Sequence, residues 1–319
     1  MKHHLSTSSF DMKNFLKDIL LFIAFAAIFY IIAIPVWRSG MPARFSPNIN
    51  YLLGAYGHMF SRMDDLKTTD DIDILFLGSS HAYRGFDTRI FSKNSINTFN
   101  LGSSSQTPIQ SNMLLNRYLD HIDPEVIIFE VFPFSFDSDG VESSLDIIAN
   151  DKNDLHSFLM ALEVGHVKTW NTLIYATYRD IFNLDASFSE PIERGKDIYV
   201  KGGYVEKDLA YYSPDSFPQQ EIIINRKQLR QFEYMVTQTK DNDIKLVLVY
   251  APIPRENYLS YTNNQYFDSL MTSYGDYYNF NDILTLDDSL HFYDSHHLNQ
   301  NGVVIFNEKL IDILKSGLE

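Results

Sequence analysis

From Ile19 to Trp37 the chain carries no charged residue. At 1.5 Å per helical residue this run reaches about 28 Å, close to the ~30 Å of a bilayer's hydrocarbon core. A core helix of a soluble protein would show a polar stripe along one face, and this segment has none, so the pattern predicts one transmembrane helix. Lys2, Lys13 and Lys17 precede the run, Tyr30 and Trp37 stand towards its far end, and Arg38 follows it. The positive-inside bias then places the N-terminus in the cytoplasm and everything after Trp37 outside it, periplasmic or extracellular. A cleaved signal peptide is the rival, but it needs a shorter apolar region and a small-residue cleavage site, which Ser39-Gly40-Met41-Pro42-Ala43 supplies poorly. The division expected is a tail over 1–18, the spanning helix over 19–37, a linker over 38–70 and one catalytic domain over 71–319.

Within the linker, Pro42, Pro47 and Gly54 interrupt the pattern, and a short amphipathic helix is expected at about Tyr51 to Met63. A regular alternation then begins. The apolar run Ile72 to Leu77 ends in Gly78-Ser79-Ser80, as a buried parallel strand feeding a tight turn would. Ile96 to Leu101 predicts a second strand, Val126 to Phe132 a third, Ile244 to Tyr250 a fourth, and the stretch near Tyr277 to Phe280 a weaker fifth. Helices are expected at about Pro108–Leu119, Arg226–Gln238 and Asn301–Lys315. Alternation of this kind implies an α/β domain with a mostly parallel sheet flanked by helices. Between about 137 and 219 it breaks: a helical stretch over Leu155–Phe182 gives way to Lys201-Gly202-Gly203-Tyr204 and a loop, reading as an insertion over the strand ends.

Composition narrows the chemistry. The 41 acidic against 26 basic residues give a net charge near -15, which repels nucleic-acid backbones, so no nucleic-acid partner is expected. With no cysteine, disulfides, thiolate nucleophiles and Cys-ligated zinc are excluded. A hydrophobic fraction of 45%, with 24 Phe and 20 Tyr, supplies a packed core. There is no phosphate-binding glycine loop of the Walker A or dinucleotide type, and no cofactor is called for.

Acyl transfer through serine needs a hydroxyl at a sharp turn, a histidine to take its proton, a carboxylate to orient that histidine, and donors for the oxyanion. Ser79 and Ser80 directly follow the first strand, with Gly78 permitting the turn. Near the other end of the chain stands Asp294-Ser295-His296-His297-Leu298-Asn299, a carboxylate three residues before an imidazole on a loop entering the last helix, which Asn299 can cap unaided. Each fragment alone has an ordinary explanation; their joint occurrence at matching ends of an α/β alternation favours chemistry. His81 and His296 read as solvent-facing or supporting groups, and Glu130 as a satisfied polar group at a strand end. Arg84 is expected to pair with Asp87 rather than with a substrate carboxylate. His291, Asp294 and His297 as metal ligands are the minority alternative.

These residues resemble the SGNH (GDSL-like) hydrolase superfamily, whose first block is Gly-Asp-Ser and whose last is Asp-x-x-His; here they read Gly78-Ser79-Ser80 and Asp294-x-x-His297. The resemblance implies an SGNH, flavodoxin-like fold with Ser80 as nucleophile, His297 as general base and Asp294 as its orienter. The second block appears as Asn100-Leu101-Gly102-Ser103-Ser104-Ser105, with Ser105 in place of the final glycine, and implies an oxyanion hole from Ser80 and Ser105. The third block, Gly-x-Asn-Asp, is replaced by Glu130-Val131-Phe132-Pro133-Phe134, so its asparagine donor is missing. Together with the membrane helix, the pattern is similar to a cell-envelope subgroup containing teichoic-acid D-alanyl transfer proteins and alginate-type O-acetyltransferases. That similarity implies an acyltransferase or esterase acting on an envelope polysaccharide, with a membrane-bound O-acyltransferase as partner. A deacetylating esterase, or a glycan-binding scaffold without activity, are the other readings.

Overall fold

A computed structural model describes residues 11–214 and 216–316. Lys2, the first ten residues of the expected tail and the last three of the expected domain lie outside the described residues. The chain begins with helix α1 (Met12–Gly40), which is long and apolar enough to cross a membrane, followed by α2 (Met59–Leu66). Strand β1 (Ile74–Leu77) leads through α3 (Ser80–Gly85) and α4 (Thr88–Lys93) to β2 (Thr98–Asn100). Helix α5 (Pro108–Ile122) then leads to β3 (Val126–Glu130). The insertion follows as helices α6 (Pro133–Asp137), α7 (Val141–Asn150), α8 (Leu155–Val164) and α9 (Val167–Ile181), and then strands β4 (Glu193–Arg194), β5 (Asp197–Val200) and β6 (Tyr204–Lys207). Helix α10 (Arg226–Asp241), β7 (Lys245–Tyr250), α11 (Arg255–Ser260), α12 (Asn264–Thr272) and β8 (Asp276–Asn279) come next. The described chain closes with α13 (Phe280–Ile283), α14 (Asp288–His291) and α15 (Gln300–Ser316).

The main sheet is parallel throughout, in the order β2-β1-β3-β7-β8. This is the doubly wound order in which the chain switches direction between β1 and β3. Alternate side chains along each strand enter opposite layers. Ile74, Phe76, Ile128 and Val249 join Phe306 and Leu310 of α15, while Leu75, Leu77, Ile127 and Phe129 join Leu114 of α5 and Phe232 of α10. The α/β architecture expected from the alternation is therefore what forms.

Three departures have local causes. The helix expected at Tyr51–Met63 begins only at Met59, because Gly54, Gly57 and His58 all adopt left-handed backbone angles (φ 61°, 55° and 56°). The helical stretch expected over Leu155–Phe182 is two helices, since Gly165 ends α8 in the left-handed conformation and His166 caps α9. The Gly202-Gly203 segment is the tip of a β5–β6 hairpin rather than part of a loop, and Gly202 carbonyl accepts a 2.7 Å bond from Asn100 N–H at the end of β2.

Candidate active site

Gly78 ends β1 with φ 140°, and a Cβ there would stand 2.7 Å from Glu130 Cβ, so the turn into α3 requires glycine. Ser79 is the N-cap of α3, its Oγ accepting from His81 N–H at 3.3 Å, and Ser80 is the first helical residue. The nucleophile candidate thus stands at the carboxyl end of β1, at the switch between β1 and β3 where open α/β sheets form their binding crevice. Gly102 lets the β2 loop approach: a Cβ would meet Ala82 Cβ at 2.9 Å and Gly78 carbonyl at 3.0 Å. Asn100 ties that loop to α3 by donating from Nδ2 to Ala82 carbonyl (2.8 Å) and accepting Gly102 N–H at Oδ1 (3.1 Å).

Residues 217 positions apart meet here. Ser80 Oγ is 2.7 Å from His297 Nε2, and His297 Nδ1 is 3.0 Å from both carboxylate oxygens of Asp294. Asp294 Oδ1 also accepts the backbone N–H groups of His296 and His297, each at 2.8 Å. Burial alone would raise the Asp294 carboxyl, but the bonds and charge from His297 and these backbone donors outweigh it and hold it well below the usual carboxylate range. An ionised Asp294 fixes the proton on Nδ1 and leaves Nε2 free to accept from the serine. The imidazole is clamped on both faces, by Tyr293 at 5.4 Å between ring centres and by His81 at 4.8 Å.

A layer of polar groups lies behind the triad. Ser79 Oγ is 2.8 Å from Glu130 Oε2 and 3.1 Å from His81 Nδ1, and His81 Nε2 is 3.0 Å from the carbonyl oxygen of His296. His81 is fully buried, and burial followed by the neighbouring imidazoles His297 and His296 pushes its pKa well down, so it is a supporting group and not a solvent-facing one. Glu130 is fully buried, and burial pushes it up to about 8 against the bonds that its Oε2 accepts from Ser79 Oγ (2.8 Å) and Ser79 N–H (3.3 Å); its Oε1 is left without a side-chain partner, so its reading as a satisfied polar group holds for one oxygen only. His296 is held by Asn257, whose Nδ2 lies 3.2 Å from its Nδ1 and donates to Ser295 carbonyl at 2.8 Å. Asn257, Tyr293 and the Ser79–Glu130 contact carried no signal in the sequence, because each depends on chain crossings that spacing does not show.

The cleft over Ser80 has a volume of about 390 Å³ and is walled by Ser105, Phe132, Phe134, Phe217 and Tyr261, with Gln220 among the polar groups. Ser105, which lines the same cleft as Ser80, holds a left-handed backbone (φ 50°). Phe132 packs 4.1 Å, centre to centre, from the His81 ring. Arg84 does not pair with Asp87: it reaches Asp197 of β5 with bonds of 3.0 and 2.8 Å, while Asp87 caps α4 and binds Arg89. Asn299 caps α15, accepting from Asn301 and Gly302 N–H at 3.0 and 3.2 Å. Among the described residues no group of three or more His, Asp or Glu is placed to hold a metal ion, so His291 does not join Asp294 and His297 in such a cluster.

No family model matches the chain, and no curated protein does. Two solved structures are similar to it in fold. One, from Bacteroides fragilis and assigned as an acylhydrolase, is 11% identical with a TM-score of 0.41, over 81% of this chain and 95% of its own. The other, the psychrotrophic esterase EstA of Pseudoalteromonas sp. inhibited by monoethylphosphonate, is 15% identical with a TM-score of 0.37, over 78% of this chain and 99% of its own.

Proposed function

We propose that the chain is a serine-dependent acyl-transfer enzyme, on the single observation that Ser80 Oγ, His297 Nε2 and the Asp294 carboxylate form an unbroken hydrogen-bonded line. Ser80 Oγ attacks the carbonyl carbon of an ester while its proton passes to His297 Nε2, giving a tetrahedral intermediate whose oxyanion is held by the backbone N–H groups of Ser80 and Ser105. Collapse breaks the ester C–O bond, and the departing alcohol takes the proton from His297. Acyl-Ser80 remains. An acceptor hydroxyl then gives its proton to the same nitrogen and attacks the acyl carbon, and Ser80 leaves reprotonated.

In its finer form the proposal is a membrane-anchored extracytoplasmic O-acyltransferase for an envelope polysaccharide, with acetyl as the representative group and a membrane-bound O-acyltransferase as supplier. Helix α1 supports the anchor. The aromatic walls Phe134, Phe217 and Tyr261 suit an acceptor with apolar ring faces, such as a sugar. An esterase differs only in using water as the second nucleophile, and the loss of the third-block donor favours neither water nor sugar by itself.

The test offers purified full-length protein a small acetyl ester, with and without envelope oligosaccharides, and follows free acetate and acetylated sugar. Acetylated sugar that disappears in His297→Ala supports transfer. Acetate release unchanged by any glycan makes the protein an esterase, and glycan binding without either product contradicts acyl transfer.

A further inference from the structure

Helix α1 does not stand clear of the rest of the chain. Tyr30 Oη donates a 2.5 Å hydrogen bond to Asn171 Oδ1 on α9, and the Arg38 guanidinium lies 5.7 Å over the Tyr175 ring, also on α9. The first contact matters for depth. Tyr30 is seven residues before Trp37, so in a membrane spanned by Ile19–Trp37 it sits about 10 Å inside the outer end of the apolar run. Asn171 must reach that depth with it. Raising α1 until Tyr30 met the surface would draw Lys17 and Asp18 into the hydrocarbon from the other side and leave too short an apolar run to span it.

The contacts run 30 with 171 and 38 with 175, so α9 and α1 ascend together and the N-terminal end of α9 is the deeper one. The exposed surface at that end is apolar. Helix α8, which precedes it, shows Leu155, Phe158, Leu159 and Leu162 to the outside at exposures of 67%, 48%, 50% and 59%, while Ser157, Met160 and Ala161 face inwards. The spacing i, i+3, i+4, i+7 makes one helical stripe, directed away from the core. Phe158 packs edge-on at 5.2 Å against Trp170, the neighbour of Asn171, which ties this stripe to the level of the α1 contact.

Basic side chains gather about Glu163 at the C-terminal end of α8, in a chain whose net charge is -15. Lys227 Nζ donates to Glu163 carbonyl at the end of α8 (3.0 Å), Arg230 pairs with the Glu163 carboxylate, and Arg226 and Lys168 stand nearby in sequence. An apolar helical face beside tryptophan and basic side chains is what a membrane-seated surface presents to the bilayer. We infer that the outward stripe of α8, with Trp170 at its side, inserts into the outer leaflet of the bilayer that α1 spans, so that the catalytic domain is seated on the membrane surface and not tethered above it. This rests on the reading of α1 as a membrane anchor.

The chain has no cysteine, so single substitutions give unique labels. Full-length Leu159→Cys, Leu162→Cys, Ile23→Cys and Lys93→Cys proteins, each carrying one fluorophore, are placed in vesicles containing anionic lipid and exposed to iodide or to lipid with brominated acyl chains. Labels at 159 and 162 are expected to be quenched by brominated lipid and shielded from iodide, as at 23, with the reverse at 93. If 159 and 162 behave like 93 while 23 keeps its lipid quenching, the seated surface is wrong and the anchor stands. If 23 is itself quenched by iodide, the anchor reading fails and this inference with it. Shielding of 159 and 162 from both quenchers would mean a protein, a second copy or a membrane partner, covers the stripe, and would overturn its assignment to lipid.

Discussion

Ser79 Oγ lies 2.8 Å from Glu130 Oε2 in the layer directly behind the nucleophile. Oε2 accepts from Ser79 Oγ and, at 3.3 Å, from Ser79 N–H, and both bonds favour the ionised carboxyl. Burial outweighs them and pushes the Glu130 pKa up to about 8.

A folded-state pKa above the unfolded value gives stability that is fully present below the unfolded value and lost as pH rises through the folded one. Glu130 should thus lower stability progressively between about pH 5 and 8. Thermal unfolding of the wild type is expected to fall more steeply over this window than that of Glu130→Gln, which has nothing to ionise. Parallel pH profiles for the two proteins would mean that Glu130 is already ionised in the fold.

Asp294 is asked to hold one tautomer of His297. Asp294→Asn keeps the size of the side chain but permits the wrong tautomer, and a loss of about 10⁴ in ester turnover is expected with the fold unchanged by circular dichroism. A variant within tenfold of wild type would show that the carboxylate does not orient the base.

At Ser105 the backbone N–H, not the hydroxyl, is the proposed oxyanion donor. The left-handed backbone at φ 50° costs a non-glycine residue roughly 1–2 kcal/mol. Ser105→Gly should therefore keep its turnover and unfold at an equal or higher temperature. A drop of about 10²–10³ in turnover would instead assign the donor role to the hydroxyl.

Much of this was legible in the sequence because it was periodic or local. The strand ending at Leu77, the order of apolar runs and the Asp294-x-x-His297 spacing each follow from a few adjacent residues. One of Ser79 and Ser80 pairs with His297 because strand-to-helix turns in a parallel sheet share one edge, and the choice of Ser80 rests on the resemblance of Gly78-Ser79-Ser80 to the Gly-Asp-Ser block. What escaped depends on crossings. Glu130 reads as an ordinary strand-end carboxyl until β3 is laid beside β1, and only then does it meet Ser79. Arg84 looked suited to Asp87 in its own segment, yet the β5–β6 hairpin, itself hidden in what read as loop, brings Asp197 closer. The outward stripe on α8 has ordinary amphipathic spacing, and only the position of α1 shows that its apolar side is not the core side.

The identity of the acylated residue tests the central claim most directly. Purified full-length protein treated with a fluorophosphonate and mapped by peptide mass spectrometry is expected to carry one adduct on Ser80, absent from Ser80→Ala and strongly reduced in His297→Ala. Ser79, buried and engaged with Glu130 and His81, should remain unmodified. An adduct on Ser79, or labelling that persists undiminished in Ser80→Ala, would contradict it.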